Sequence, residues 1–252
     1  MKVYLNEITG LADALTSMYM SKRSWTRELE ERIRSECSCF DILTNNKYVI
    51  RQGSRELWEI PEYVAIKEKL DKRLNSFCKF AWKHTTMLDF ITISVTVEGL
   101  HRAGQDDWDA HACRFNNRII RSSTRLADFS ESELSDYYKD KVIPTESALD
   151  MLGIERPQTI EREGQTFVKT QGGYIREDLA NNRDAKRGLY RLGIPSNFIF
   201  KCNLAQWAHV YKMRNKNSGA NPEVKEVAEA IQDAIEWVLP WFDREFIGKI
   251  EI

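Results

Sequence analysis

The most informative stretch of the chain is NLAQWAHVYKMR, residues 203–214. Its apolar residues recur at helical spacing, so the sequence predicts an amphipathic helix that begins near Asn203 and closes on Arg214. A second arginine, Arg187, lies sixteen residues before Asn203. Guanidinium groups are planar and permanently charged, which suits a nucleotide phosphate or a pyrimidine edge. Both arginines are therefore candidate binding residues.

Several further elements can be predicted on either side of this helix. Residues 90–97, FITISVTV, alternate between large apolar and smaller hydroxyl side chains, which is typical of a strand with one buried face. Residues 22–36 and 61–83 show helical spacing, and Pro222 opens a long amphipathic helix. The segment from Glu177 to Leu189 also favours a helix.

A second β unit is predicted at residues 159–175, TIEREGQTFVKTQGGYI. Gly164 and the Gly172-Gly173 pair supply turns between its short β-branched or aromatic pieces. The chain shows no low-complexity run and no internal repeat. We therefore expect a single domain over residues 1–252, with an inserted hairpin or flap at about 130–176.

Composition restricts the class of partner. The chain of 252 residues has 37 basic and 38 acidic residues, and its net charge of -1 argues against a surface built to hold duplex nucleic acid. We expect any bound anion to be held at one local site and not across the whole surface. The five cysteines are odd in number and show no paired CxxC pattern, which favours a reducing compartment. The N-terminal region predicts neither a secretory signal nor a membrane span, so we expect a soluble cytoplasmic protein.

The region from His101 to Arg125 is polar and rich in arginine, and directly after the strand it predicts a functional loop. Its arginines and serines suit phosphate or pyrimidine recognition: Arg102, Arg114, Arg118, Arg121, Arg125, Ser122 and Ser123. The alternative interpretation is a solvated loop whose arginines pair with nearby aspartates, because surface ion pairs are common.

Other chemistries find less support in the sequence. A metal site could use His101, Asp106, Asp107, Asp109 and His111, but their spacing matches no ligand motif, so we predict no metal. The chain contains no GxSxG elbow, no GxGxxG and no GxxxxGK[ST] run. His84, between a predicted helix and a strand, and His209 are each either structural or ligand-binding.

Together these pieces resemble the flavin-dependent thymidylate synthases. In that family an arginine is followed sixteen residues later by an asparagine. A helix that ends in Leu-Arg comes next, and a further helix follows it. Lys186-Arg187, Asn203, Met213-Arg214 and Pro222-Glu223-Val224 have this spacing, and LPWFDREFIGKIEI at the end is similar to the family's tail. The family segment HxTPFxH corresponds to His84, Thr86 and, in the second histidine position, Phe90.

The family's signature motif, RHRxxSxNExSxRY, is matched at its end by Ser123-Thr124-Arg125, with Leu126 in the tyrosine position. Counted back without gaps, its leading Arg-His-Arg falls on Cys113, Arg114 and Phe115, so most of the flavin-facing half differs. A shifted alignment would let Arg114 or Arg118 take over phosphate contacts.

The resemblance implies a mixed α/β (α+β) domain, with a mixed sheet flanked by helices, and a homotetramer whose active sites are shared between subunits. It implies a reaction in which reduced FAD supplies the hydride and methylenetetrahydrofolate the carbon that becomes the 5-methyl group of dUMP, with NADPH as a further co-substrate. The protein would hold the phosphate and polarise the uracil carbonyls.

The resemblance also implies roles for particular residues. Arg187 and Arg214 would contact the pyrimidine nucleotide, and Ser123 and Arg125 its phosphate or base edge; Ser123, Arg125 and Arg214 are the predicted catalytic residues. The cofactor-binding set comprises His84, Thr86, Arg114, Arg118, Asn203 and His209. Two alternatives stay open: a related C5 hydroxymethylase acting on dUMP or dCMP, and a flavin-free nucleotide-binding homologue without catalysis.

Overall fold

The computed structural model describes residues 1–44, 48–51, 54–55, 72–112, 118–123, 133–170, 172–182 and 192–250, and gives the backbone alone for 38–44, 48–51, 54–55, 111–112 and 118. The chain divides into two compact units. The large unit comprises Lys2–Val97, Asp107–Ile120 and Phe198–Ile252, and the small unit comprises Met1, Glu98–Asp106 and Arg121–Asn197. The single domain expected over 1–252 stays a prediction.

The secondary structure contains helices and two β-sheets. The helices are α1 Leu11–Ser21, α2 Arg27–Thr44, α3 72–81, α4 Arg102–Ala112, α5 Thr145–Met151, α6 Leu204–Arg214, α7 Pro222–Val238 and α8 Arg244–Lys249, with 3-10 turns at Thr85–Phe90 and Glu177–Leu179. The strands are β1 Lys2–Thr9, β2 Tyr48–Arg51, β3 Ser54–Arg55, β4 Thr92–His101, β5 Arg118–Arg121, β6 Thr159–Arg162, β7 Gln165–Thr170, β8 Gly173–Arg176 and β9 Pro195–Asn203. This content confirms the predicted mixed α/β class.

A six-stranded sheet runs in the order β3-β2-β1-β4-β9-β5, with β1–β2 and β2–β3 antiparallel. The alternation predicted for residues 90–97 is confirmed from Ile91 onward: Ile91, Ile93, Val95 and Val97 are all fully buried. Phe90 instead ends the 3-10 turn, and its ring is 50% exposed. β1 was missed by the sequence analysis, although Val3, Leu5 and Ile8 are buried along it.

The core of the large unit contains an aromatic cluster. The indole rings of Trp108 and Trp207 stack with centroids 6.1 Å apart and planes 6° from parallel, and the Phe200 ring lies 5.5 Å from Trp108. α7, which carries the predicted apolar stripe, packs on β1 and α6. Burial of these large side chains is the main stabilising contribution in this unit.

Gly10 allows the Thr85–Phe90 turn to pack closely against the start of α1. Its φ of 87° lies in the left-handed region, and an added Cβ would stand 1.8 Å from the Phe90 carbonyl oxygen. A side chain at position 10 would therefore be disfavoured twice, by its backbone conformation and by overlap with the turn.

In the small unit, the predicted β unit at 159–175 is a three-stranded antiparallel sheet, in the order β6-β7-β8. Gly164 has a φ of 74° at the β6–β7 turn, as a tight hairpin requires. Residues 192–194 accept three backbone hydrogen bonds from described residues. The Ser135 N–H donates to the Gly193 carbonyl over 2.8 Å, the Arg102 N–H to the Ile194 carbonyl over 3.0 Å, and the Ala103 N–H to the Leu192 carbonyl over 3.1 Å.

Two local predictions are corrected. The region after β4 was expected to be a polar loop, but residues 102–112 form α4. The many charged residues of this segment obscured its buried positions, which occur about once per helical turn. One of them is Trp108, which is fully buried. The helix expected from Glu177 to Leu189 is a 3-10 turn over Glu177–Leu179 followed by non-helical residues to 182, and the rest of that prediction lies outside the described residues. No described helix has the length and apolar character needed to span a membrane.

Candidate functional site

Arg214 stands at the C-terminal end of α6, as the sequence predicts. A cation in this last turn is favoured by the helix dipole. Its Nη2 donates to the Asp107 carbonyl oxygen over 3.2 Å, and its Nη1 reaches the Met213 carbonyl oxygen at 3.5 Å. The side chain is thus oriented by backbone carbonyls of the large unit.

Among the residues that the structure describes, no acid balances the charge of Arg214. Within the part of the chain that the structure describes, no carboxylate lies within ion-pair distance of its guanidinium group, and its buried Nε–H has no hydrogen-bond acceptor. A buried, unpaired donor of a charged group costs about 1–3 kcal/mol or more. An arginine held in this state is suited to receive an anion such as a phosphate.

The opposite end of α6 meets the turn that carries His84 and Thr86. The Leu204 N–H donates to the Ile91 carbonyl over 2.9 Å and joins the helix start to the chain just after the turn. The His84 carbonyl accepts the Met87 N–H over 2.9 Å, while the His84 and Thr86 side chains are exposed. These side chains are available to a ligand at this surface.

Asn203 is the N-cap of α6. Its Oδ1 accepts the Gln206 N–H over 2.8 Å, and the Gln206 Oε1 accepts the Asn203 N–H over 3.2 Å, which completes a capping box. Its side chain also donates to the Asp89 carboxylate. Partial burial raises the pKa of Asp89, and the hydrogen bond from Asn203 opposes that rise. Asn203 therefore has a structural role whether or not it also contacts a cofactor.

The two ends of α6 are far apart. Eleven residues separate Asn203 from Arg214, which at a helical rise of about 1.5 Å per residue places them about 16 Å apart. His209 lies between them, half-buried. The structure thus places the turn that carries His84 and Thr86 against the Asn203 end of α6 and leaves Arg214 at the other end of the helix. A mononucleotide cannot reach both ends.

In the small unit, the segment after β5 is fixed by hydrogen bonds. The Ser122 N–H donates to the Asn197 carbonyl over 2.9 Å, and Arg102 Nη1 donates to the Ser122 carbonyl over 3.0 Å. Arg121 pairs with Asp106, so for this arginine the alternative of a surface ion pair is the observed one. Ser123 follows as a half-buried residue beside this anchored segment.

Arg114, Arg125 and Arg187 lie outside the described residues, and only the backbone of Arg118 is described, within β5. Across the described ranges, no group of three or more histidine, cysteine, aspartate or glutamate side chains is arranged to hold a metal ion.

The sequence analysis missed two acidic residues that support these elements. Asp89 contacts Asn203, and Glu229 on α7 accepts a hydrogen bond from the Lys216 N–H over 2.9 Å, two residues after Arg214. A signal for the second was present: Glu229, Asp233 and Glu236 recur at intervals of three and four on a helix otherwise predicted for its apolar face.

Comparison with known proteins identifies the fold. The structure is similar to two crystal structures of the flavin-dependent thymidylate synthase ThyX from Helicobacter pylori, each complexed with FAD and dUMP. The TM-scores are 0.53 and 0.52, each at 13% sequence identity, and the matches cover 97% of this chain and 99% and 98% of the others. At this identity the likeness shows a shared fold. No curated protein matches the chain in sequence.

The family assignment rests on a separate sequence comparison. The model of the family described as thymidylate synthase complementing protein matches residues 41–241, which is most of the chain. This span contains the turn with His84 and the whole of α6 and α7, and it ends before α8. The expected resemblance is therefore confirmed, and the chain belongs to the thymidylate synthase complementing protein family.

Proposed function

We propose that this chain is a flavin-dependent thymidylate synthase-like enzyme that transfers a one-carbon unit from methylenetetrahydrofolate to C5 of dUMP. The observation that carries the proposal is Arg214, whose guanidinium group has an unpaired buried Nε–H and no carboxylate partner among the described residues. The phosphate of dUMP is an anion of the required kind, because its oxygens accept charge-assisted hydrogen bonds from a guanidinium fork. Family membership supplies the reaction class.

The flavin would be held at the other end of α6. His84 and Thr86 offer exposed polar side chains there, and the similar Helicobacter pylori structures contain FAD. Reduced FAD would supply the hydride, with NADPH as the source of reducing equivalents. The residues of this chain would orient the two ligands and stabilise negative charge on the uracil carbonyls.

The separation of about 16 Å along α6 favours a site built from more than one subunit. If each active site used Arg214 of one copy and the His84 turn of another, the two groups could approach closely without any change in the helix. We accordingly propose a homotetramer, as expected from the resemblance. We also propose a cytoplasmic location, since the five cysteines lack a paired pattern, and no nucleic-acid or membrane partner.

A flavin-free nucleotide-binding protein is the second candidate. The observation in its favour is the engagement of Asn203, whose Oδ1 caps α6 and whose amide contacts Asp89. In that case Arg214, at the C-terminal end of α6, would still bind a nucleotide. Asn203, at the N-terminal end, would only stabilise the fold.

The visible spectrum of the purified protein distinguishes the candidates. After free flavin is removed, dUMP is titrated into the wild type and R214A, and binding is followed by calorimetry and by the flavin band. We expect a retained flavin band that shifts with dUMP, and a loss of roughly 1.5 to 3 kcal/mol of dUMP binding in R214A. Wild-type binding of dUMP without flavin would favour the second candidate, and unchanged affinity in R214A would contradict the assigned site.

A further inference from the structure

A row of positively charged side chains runs along the exposed face of α3. Residues 72–84 contain four lysine or arginine residues and no acid. Three of the lysines are exposed, and their spacing of seven and four residues places them on one side of the helix: Lys72, Lys79 and Lys83. Phe77 and Ala81, on the opposite side, are fully buried. The helix therefore presents one apolar face to the core and one cationic face to solvent.

Lys22, which directly follows α1, adds a further positive charge to this face. Its Nζ donates to the Ser76 Oγ over 3.2 Å and lies 4.0 Å from the centroid of the Phe80 ring. These contacts orient the side chain, and because an ammonium group has three N–H donors, Lys22 can still donate to a ligand. Four lysines thus form what is called the basic row below: Lys22, Lys72, Lys79 and Lys83.

Within the part of the chain that the structure describes, no carboxylate forms an ion pair with the basic row. The neighbouring Arg73 differs, since its guanidinium group pairs with Glu36 at 2.7 Å on the flank of α3. Like charges one helical turn apart repel each other. A ligand with several negative charges would relieve that repulsion.

The basic row leads to the turn proposed to hold the cofactor. The N–H groups of Lys83 and His84 both donate to the Phe80 carbonyl over 3.0 Å, so the chain passes from the end of α3 directly into this turn. His84 and Thr86 expose their side chains there. In the proposed reaction the folate must reach the flavin, because one supplies the carbon and the other the hydride. The part of the folate that extends away from the flavin can then meet the basic row.

We propose that the basic row binds the glutamate tail of the folate co-substrate. This inference rests on the proposed function, because it requires that the chain bind a reduced folate. Folates carry glutamate at the end opposite the pterin, and each further glutamate of a polyglutamylated form adds one carboxylate. A single exposed lysine–carboxylate pair changes affinity only roughly twofold to fivefold, so several lysines in a row are needed to favour a long tail over a short one.

The rings beside the basic row favour an acidic chain over a single-stranded nucleic acid. The Phe80 ring lies under the Lys22 ammonium group, and the Trp82 ring lies 4.8 Å from the Lys83 Nζ. A nucleic acid would need open ring faces on which to stack its bases. A glutamate tail needs only the positive charges.

The test compares methylenetetrahydrofolate that carries one glutamate with the form that carries five, on the full chain with FAD and dUMP. The KM values are measured by turnover, and the dissociation constants by equilibrium dialysis. We expect the pentaglutamate form to bind the wild type roughly tenfold more tightly than the monoglutamate form. High salt should remove most of this preference, since attraction between exposed charges is screened.

Two double variants locate the effect. K79Q/K83Q should reduce the preference for the pentaglutamate form to about twofold, because two members of the basic row are lost. K139Q/K141Q is the matched control: it removes two exposed lysines of the small unit and changes the net charge equally. This control should keep the roughly tenfold preference of the wild type.

Three results would overturn the inference while leaving the proposed function intact. They are equal affinity of the wild type for both folates, an unchanged preference in K79Q/K83Q, and an equal loss of preference in K139Q/K141Q. Tighter binding of a ten-nucleotide oligothymidylate than of the pentaglutamate form, lost in K79Q/K83Q, would reassign the basic row to single-stranded nucleic acid. If the wild type with FAD binds neither folate in dialysis, the proposed function itself fails and the inference falls with it.

Discussion

Two arginines of the large unit, Arg214 and Arg244, lie in opposite electrostatic surroundings. Arg244 is surrounded by acids: Glu229 at 2.7 Å, Asp233 at 2.9 Å and Glu236 at 2.7 Å. Arg214 contacts backbone carbonyls, and no described carboxylate pairs with it. The donors of Arg244 are satisfied by protein acceptors, whereas the buried Nε–H of Arg214 has no acceptor among the described residues. This difference is the reason why we propose Arg214, and not Arg244, as a ligand-binding arginine.

The largest expected effect concerns the stability of the chain. Replacing Arg244 with methionine leaves three partly buried carboxylates close together without their cation, so we expect the free energy of unfolding to fall by roughly 2 to 4 kcal/mol. The matched replacement R214M removes no ion pair with a described residue and should lower the free energy of unfolding by less than about 1 kcal/mol, through the helix dipole. Chemical denaturation of both variants checks this contrast. Equal destabilisation would mean that Arg214 is also a structural arginine.

A smaller effect on the free energy of unfolding is expected at the start of α6. The polar groups of Asn203 and Gln206 are hydrogen-bonded within the protein there, as those around Arg244 are. N203A removes the acceptor of the Gln206 N–H and should lower the free energy of unfolding by about 1 kcal/mol. N203S keeps a capping oxygen and should lose only part of that stability. Unfolding curves and flavin retention are measured together on both variants. Loss of flavin from both, with stability unchanged, would show that Asn203 serves the cofactor and not the fold.

The smallest effect is a pH dependence at the Arg244 cluster. Since the pKa of Glu229 is lower in the folded chain than its ordinary value of 4.5, its stabilising contribution is complete above that pH and is lost as pH falls through the folded value. We expect a contribution under about 1 kcal/mol after solvent screening. Comparing the wild type with E229Q between pH 7 and the acid limit of folding checks this. A difference that grows on acidification would contradict the assigned sign.

Much of the fold was predictable because local periodicity determined it. The alternation through Ile93 and Val95, the stripe of α7 opened by Pro222 and the helix ending at Arg214 all appear where the sequence places them. α4 escaped prediction because its composition is that of a solvated loop, with Trp108 as the clearest apolar anchor. β1 escaped because Asn6 and Glu7 interrupt its apolar pattern.

The types of residue in the candidate site could be predicted from the sequence, but the groups that surround each of them could not. Arg214 could be selected from its position in the chain. Its lack of an ion pair with any described carboxylate, however, depends on how α6 packs, which the spacing of residues does not reveal. Likewise, Glu229 reaches Lys216 only because α7 turns back along α6. Long-range contacts of this kind distinguish the surroundings of Arg214 from those of Arg244, and no local sequence pattern contains them.

Gly10 has a consequence for how this chain tolerates change. The residue lies more than seventy positions before the turn with His84 and Thr86, yet the Phe90 carbonyl occupies the space that a side chain at position 10 would need. In a saturation-mutagenesis scan scored by activity, position 10 should therefore accept glycine almost exclusively. It would resemble a ligand-contacting position in that scan, although its effect would arise from the backbone conformation at position 10 and the overlap with the turn.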